Sequence, residues 1–258
     1  MNKLSVTLIQ SDLIWEDPSK NLKAFSEKLK SINRPTDLII LPEMFTTGFS
    51  IHAKALAQKM DGTTVNWLLT QAKLLNAVVL GSLIIEEYGN YYNRFIVAFP
   101  DGSLKHYDKH HLFTLADEHK TYTAGQKLIT FDYKGWKICP LICYDLRFPI
   151  WARNTSNYDV LIYIASWPKP RIEAWDTLLK ARAIENMSYV VGVNRVGTDS
   201  NKLEYPGHSV IFNCLGKKLT NSISYKEEII YLKIEKASLL KVREKLQFLN
   251  DRDNFKFI

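Results

Sequence analysis

Long apolar runs are absent from this chain. No segment reaches the roughly 18 uncharged apolar residues of a membrane span, and the opening MNKLSVTLIQSD turns polar too soon for a secretory signal. The protein is therefore expected in the cytosol, with no membrane partner. Cysteine is scarce, with only Cys139, Cys143 and Cys214 present. An odd number in a long chain speaks against a disulfide framework and fits a reducing compartment. Cys139 and Cys143 lie on one expected strand, which separates their Cα atoms by roughly 13 Å, beyond the ~7 Å that a disulfide spans. Any special role for a thiol here is individual.

Metal-binding patterns and basic runs are missing as well. The six histidines, His52, His106, His110, His111, His119 and His208, include no H-E-x-x-H pair, and no paired cysteine motif occurs. No metal or other cofactor is expected. The formal charge of +7 is spread over lysines scattered among Asp and Glu, with no basic run. That pattern gives no footprint for a nucleic acid, although a mildly positive field favours a small acidic ligand.

What is present is ordinary globular material, 46% hydrophobic and 24% charged over 258 residues. No linker, low-complexity tract or repeat interrupts it, so residues 1–258 are read as a single domain. LSVTLIQ (4–10) reads as a buried strand. Asp17-Pro18 then caps a helix with Leu22, Phe25, Leu29 and Ile32 at helical spacing, and DLIILPE (37–43) is a second strand. Asp61 opens a helix to about Asn76. AVVLGSLIIE, YYNRFIVAF and SLKHY follow as strands, with Asp101-Gly102 turning the last pair. LITFDY and WKICPLIC surround a Lys134-Gly135 turn, and a helix is expected to begin near Asp145 to Pro149. DVLIYIA, a helix from 173 to 186, SYVVGVN, GHSVIFN, GKKLT, EEIIYLKIE and a helix from 237 to 247 complete the series. Apolar strands interleaved with helices indicate an α/β protein whose sheets are covered on both faces.

Three positions stand out for chemistry. Cys143 ends an apolar strand where helix-start chemistry begins, so a helix dipole and free N–H groups would favour its thiolate and cradle an oxyanion. The ordinary alternative is a buried cysteine acting as a small hydrophobe. Glu43 follows the apolar strand LIILP, where α/β sheets collect functional groups, and desolvation there makes a carboxylate a usable proton acceptor. A surface or capping Glu is the alternative reading. Lys109, in YDKHHLF, is either an exposed loop lysine or an ammonium paired with Glu43 to stabilise a developing oxyanion, with Glu118 able to brace it.

Together these segments resemble the nitrilase superfamily of carbon–nitrogen hydrolases. LPEMFTTGF is similar to its glutamate motif, YDKHHLF to its lysine motif and LICYDLRFP to its cysteine motif, in the same order. The likeness continues through ASWP (165–168), ARAIEN (181–186), NRVG (194–197) and GHSVIF (207–212). The resemblance implies an α/β fold, a four-layer α-β-β-α sandwich, and a homodimer. It implies Cys143 as nucleophile, Glu43 as general base and Lys109 as oxyanion stabiliser, with Glu118 like the second glutamate of many relatives and the Tyr144 N–H as a further oxyanion donor. CYDLRFP, ASWP and NRVG look most like the ω-amidase branch, which deamidates 2-oxo dicarboxylic acid amides. A small carboxylate-bearing amide is then the expected partner. Arg147 would pair with its carboxylate or brace the loop, and Trp167 would wall the pocket or simply pack. GHSVIFNCLG departs from the pattern, having Asn213-Cys214 where relatives often have Asp-Pro, which puts that turn in doubt; Cys214 is read as a bystander.

Other chemistries remain as rivals. His110 or His111 could activate Cys143 in a Cys-His hydrolase. Another superfamily branch would act on an aliphatic amide, an N-carbamoyl compound or a nitrile, and a non-catalytic binding member would leave Cys143 unreactive.

Overall fold

The computed structural model describes residues 2–256. Its elements run β1 (Lys3–Gln10), α1 (Pro18–Lys30), β2 (Leu38–Ile40), α2 (Ala53–Leu56), α3 (Thr63–Leu75), β3 (Val78–Glu87), β4 (Asn90–Ala98), β5 (Leu104–Asp108) and α4 (Glu118–Thr121). They continue with β6 (Phe131–Tyr133), β7 (Trp136–Ile142), β8 (Val160–Ala165), α5 (Ile172–Glu185), β9 (Tyr189–Asn194), β10 (Val196–Thr198), β11 (Glu204–Pro206), β12 (Val210–Phe212), β13 (Glu228–Glu235) and α6 (Lys236–Leu246).

Among the described residues the strands form a six-stranded sheet, ordered β13-β1-β2-β3-β4-β5, and a five-stranded sheet, ordered β12-β9-β8-β7-β6. Each has a parallel centre, β1-β2-β3 and β7-β8-β9, flanked by antiparallel strands. The hairpin β10-β11 stands apart as a two-stranded ribbon.

The strands are apolar on both faces, yet the period of two survives as a division between two cores. Leu4, Val6, Leu8, Leu38, Ile40, Val78, Leu80, Phe95 and Val97 pack with residues of the second sheet such as Ile138 and Val191. Their neighbours Ile9, Ile39, Leu41, Val79, Ile96 and Ala98 pack instead with Phe25 and Leu29 of α1 and Val65, Leu68 and Ala72 of α3. On the far side α5 lies close against β9, where a Cβ at Gly192 would meet Leu179 Cδ1 at 2.5 Å and Trp175 Cζ2 at 2.9 Å. The layers are therefore α-β-β-α.

Local chemistry explains the ends of these elements. The Asp17 side chain accepts the Lys20 N–H at 3.0 Å and Pro18 opens α1. Lys134 and Gly135 both take positive φ, 48° and 79°, as do Tyr88 and Gly89 at 51° and 78°, the backbone that two-residue hairpin turns require.

Several expectations are corrected. The strand expected over 37–43 ends at Ile40; Leu41 keeps one bond to the Leu80 carbonyl, and Pro42, lacking an N–H, starts a turn that carries Glu43. Asp61 does not open α3, because the Gln58 side chain bonds both the Thr64 N–H and its hydroxyl, at 2.8 and 2.7 Å. No helix begins near 145–149 as expected; the segment forms only a five-residue 3₁₀ turn, Cys143–Arg147, that stops before Pro149. The hairpin β10-β11 and the short helices α2 and α4 carry no periodicity long enough to be read. The turn at Asn213-Cys214 closes without proline: Asn213 Oδ1 accepts the N–H groups of Leu215 and Lys217, and Gly216 supplies a φ of 74°.

Phe95→Ala, in the fully buried core between the sheets, is expected to cost about 3–5 kcal/mol in urea unfolding. Leu74→Ala, on the outer side of α3 and 73% exposed, is expected to stay within about 0.5 kcal/mol of the native protein. Equal effects would mean that the inter-sheet layer is not the core.

Candidate active site

The carboxyl ends of β2, β5, β7 and β8 meet at one edge of the sandwich. Glu43 follows β2, Lys109 follows β5, Cys143 follows β7 and Ser166 follows β8. Glu43, Lys109 and Glu118 are each at most 1% exposed, so their charges depend on one another for compensation. Lys109 Nζ lies 3.0 Å from Glu43 Oε1 and 3.1 and 2.9 Å from the two oxygens of Glu118. Glu43 Oε1 also accepts from Asn93 Nδ2 at 2.8 Å, and its Oε2 accepts from the Ser166 N–H at 2.8 Å. Glu118 Oε2 is braced by the Phe113 N–H at 2.6 Å.

The Cys143 thiol lies beside Glu43 and Lys109. Burial pushes this thiol well above its ordinary pKa; Glu43 pushes it further, Lys109 pulls it down, and Glu118 pushes upward again. The resting sulfur is thus protonated. The expectation that a helix dipole would favour the thiolate is corrected here, because the 3₁₀ turn offers no long dipole and the nearby carboxylates outweigh Lys109. Burial alone would neutralise Lys109, but Glu118 and Glu43 together overcome it and hold the ammonium well above its usual range. Burial also raises the Glu118 carboxyl; Lys109 opposes the rise and Glu43 adds to it.

Both turns that carry the site residues include left-handed backbone. Cys143 has φ of 44° and so does Met44, beside Glu43, a conformation that non-glycine residues hold only when their surroundings impose it. The Met44 N–H is pinned to Ser82 Oγ at 2.8 Å. Asp145 pins the other turn through four bonds, from the Ile142 N–H, Tyr107 Oη, the His111 N–H and His111 Nδ1, at 3.1, 2.8, 2.9 and 2.8 Å.

A cavity of about 330 Å³ opens onto Cys143 and Lys109, with Tyr144, Arg147, Ser166 and Trp167 in its wall. Tyr144 packs edge-on against Phe113 and Phe148, with ring centroids 5.0 and 5.2 Å away. The Arg147 guanidinium lies 5.1 Å over the Trp167 ring, which is itself 3% exposed and backed by Trp175. All seven residues singled out from the sequence therefore surround one space or lie directly behind it. His110 and His111 do not line it; His110 stacks on Trp151 and bonds the Gly125 carbonyl, while His111 is held by Asp145. Cys214 is buried away from it, in the core. Among the described residues no group of three or more His, Cys, Asp or Glu is placed to hold a metal ion, and no helix is long and apolar enough to cross a membrane.

The carbon–nitrogen hydrolase family model matches residues 5–244. The chain belongs to the carbon–nitrogen hydrolase family. It is 42% identical to the omega-amidase YafV of Escherichia coli K12 over 99% of each chain. It is 34% identical to the 2-oxoglutaramate amidase of Bacillus subtilis 168 over 96% of this chain and 97% of that one. Its fold is similar to that of XC1258 from Xanthomonas campestris, a family member solved with an arsenic adduct in its active site, with a TM-score of 0.97, 40% identity and full coverage of both chains. Saccharomyces cerevisiae Nit3, of branch 10 of the nitrilase superfamily, gives a TM-score of 0.84 at 26% identity over 95% of this chain and 94% of that one.

Sequence reading of this hydrolase missed Asn93, Asp145 and Ser166. Asn93 left a trace, a lone amide inside the apolar strand YYNRFIVAF. Asp145 looked like a helix-start residue, and Ser166 acts through its backbone, which any residue but proline supplies.

Two expectations follow. Glu43→Gln removes a negative neighbour, so the Cys143 titration followed by thiolate ultraviolet absorbance, with Cys143→Ala as blank, moves to lower pH; a move to higher pH would contradict the charge balance described. Lys109→Ala leaves two buried carboxylates uncompensated and is expected to lower unfolding stability by about 3–5 kcal/mol. Glu118→Gln, which keeps a balanced Lys109–Glu43 pair, should cost clearly less.

Proposed function

We propose that this chain is an ω-amidase: a cysteine hydrolase that releases ammonia from the amide of a 2-oxo dicarboxylic acid, such as 2-oxoglutaramate or 2-oxosuccinamate. The observation that carries the reading is a thiol, Cys143, and an ammonium, Lys109, opening on one cavity walled by Arg147, with the ammonium held from behind by the buried Glu43 carboxylate. Similarity to the omega-amidase and the 2-oxoglutaramate amidase supports the choice of amide.

On this reading Cys143, Glu43 and Lys109 act as a triad. As sulfur attacks the amide carbon, the thiol proton passes to Glu43, which suits a sulfur protonated at rest. Negative charge gathering on the carbonyl oxygen is met by Lys109 and the Tyr144 N–H, each such donor lowering the barrier by roughly 3–4 kcal/mol. Glu43 returns its proton to the nitrogen as the carbon–nitrogen bond breaks; ammonia leaves and a thioester remains. Water then attacks the thioester, Glu43 takes its proton, and the sulfur departs to recover that proton as the acid is released. Glu118 holds Lys109 in line, Arg147 receives the substrate carboxylate through a forked pair of hydrogen bonds, and Trp167 keeps Arg147 flat against the cavity wall.

The enzyme is further read as a cytosolic homodimer. Free Cys139, Cys143 and Cys214 suit a reducing compartment. Exposed Ile150, Ile184 and Leu215 supply apolar surface for a second copy.

Ammonia release across 2-oxoglutaramate, 2-oxosuccinamate, glutamine, an aliphatic amide and a nitrile tests the substrate. The keto-amides are expected to give the highest kcat/KM, and a preference for any other member would overturn the ω-amidase reading. With the preferred amide, acid-quenched native enzyme should carry an acyl adduct on Cys143 by mass spectrometry. Cys143→Ala should show neither adduct nor turnover.

A further inference from the structure

Besides Lys109 and Arg147, the cavity wall holds a cation that the chemistry above leaves unused. Its charged wall residues are Lys109, Arg147, Arg171, His52 and Asp199. Most of these are already satisfied by other groups. Lys109 is compensated by Glu43 and Glu118, and His52 Nδ1 lies 2.7 Å from Glu16. Asp199 accepts the Tyr205 hydroxyl at 2.8 Å and the N–H groups of Asn201 and Leu203, so it is held by its own hairpin. Among the described residues, Arg147 and Arg171 have no carboxylate partner.

Arg171 is held without being neutralised. Its carbonyl accepts the Trp167 indole N–H at 2.7 Å, which ties its backbone to the ring beneath Arg147. Its guanidinium lies 5.1 Å over the Phe113 ring, and the Phe113 backbone braces Glu118. Stacking on an aromatic face steadies a guanidinium but leaves its in-plane N–H groups free to fork an anion. Two cations without a carboxylate partner in the wall of one cavity favour an anion bound there. A bridging carboxylate accepts from both forks.

We propose that Arg171 is a specificity-determining residue that grips the carboxylate of the substrate jointly with Arg147. This rests on the ω-amidase reading for the identity of the substrate, but the anion site itself does not. The carboxylate end of a 2-oxo dicarboxylic acid amide is held between the two guanidiniums, leaving its amide end toward Cys143.

The test is protection of Cys143 from iodoacetamide by 2-oxoglutarate in the full-length enzyme, with alkylation followed by mass spectrometry. Arg171→Gln is expected to raise the half-protecting concentration at least about tenfold, the loss of one bidentate ion pair. Arg171→Lys, which keeps the charge but not the fork, should fall between that variant and the native enzyme. Lys169→Gln is the control for net charge: Lys169 is exposed, pairs with Glu204 and is outside the cavity wall, so its change should stay within about twofold, as expected for a screened surface charge. Thermal melts of all three variants establish that they are folded. No protection of the native enzyme, equal effects of Arg171→Gln and Lys169→Gln, or unchanged protection in folded Arg171→Gln would each overturn the proposal. Arg171-dependent protection without turnover of keto-amides would leave the carboxylate site standing and remove the ω-amidase reading. Keto-amide turnover with Arg171-independent protection would do the reverse.

Discussion

The site depends on one carboxylate and the groups that surround it. Glu43 accepts from Asn93 and Lys109, which belong to the six-stranded sheet and the loop after it, and from the Ser166 N–H at the end of β8 in the other sheet. Its charge also raises the pKa of the Cys143 thiol at the end of β7. A fully buried negative charge is tolerated only when donors converge on it. Here those donors come from both sheets, so the carboxylate ties the two together at the edge where the cavity opens. Shifting either sheet would leave a buried charge without its partners, and the register of the sandwich and the geometry of the site are in this sense one constraint.

The strained turns follow from the same convergence. Carrying Glu43 and Cys143 inward from parallel strands requires a sharp change of direction directly after β2 and β7, and Met44 and Cys143 make it in left-handed backbone. Such residues hold their conformation because the surroundings over-determine it. Ser82 and Asp145 supply that determination, and Asp145 in turn draws on Tyr107 and His111, with Trp151 Nε1 bonding Tyr107 Oη at 2.9 Å. The histidines that sequence alone leaves as candidate bases are thus part of the scaffold under the turn.

Above the buried cluster the cavity is organised differently. Aromatic rings, not carboxylates, hold its arginines: Trp167 beneath Arg147 and Phe113 beneath Arg171. The contrast separates a lower layer, in which two carboxylates share one built-in ammonium, from an upper layer whose arginines have no carboxylate partner among the described residues. On the proposed reading the lower layer serves the reacting carbon and the upper one the far end of the substrate.

Much of this was legible from the residues in order. Period-two and period-3.6 patterns locate nearly every long element, since burial of a face leaves a regular trace. Glu43 and Cys143 stand out because each follows an apolar strand, where a polar residue is conspicuous, whereas Lys109 follows the polar hairpin strand LKHYD and stands out through the resemblance of its segment. What could not be read depends on distance through space. The 3₁₀ turn that begins at Cys143 has the composition of a helix start, yet it ends after five residues, packed against β8 and α5. Asp145, Ser166 and Arg171 look like an ordinary helix-start acid, a loop serine and a surface cation. Their partners lie up to 123 residues away in sequence, and a hydrogen bond or an unneutralised charge is a property of a pair. Sequence by itself determined an α/β fold with covered sheets, most of its long elements and the candidate thiol, because these follow from local periodicity and residue type, while the four-layer sandwich was implied only by the resemblance. Tertiary structure alone decided which donors surround Glu43, that the sulfur rests protonated and which cations stay unpaired, because electrostatics within a buried site is set by neighbours that chain order does not reveal.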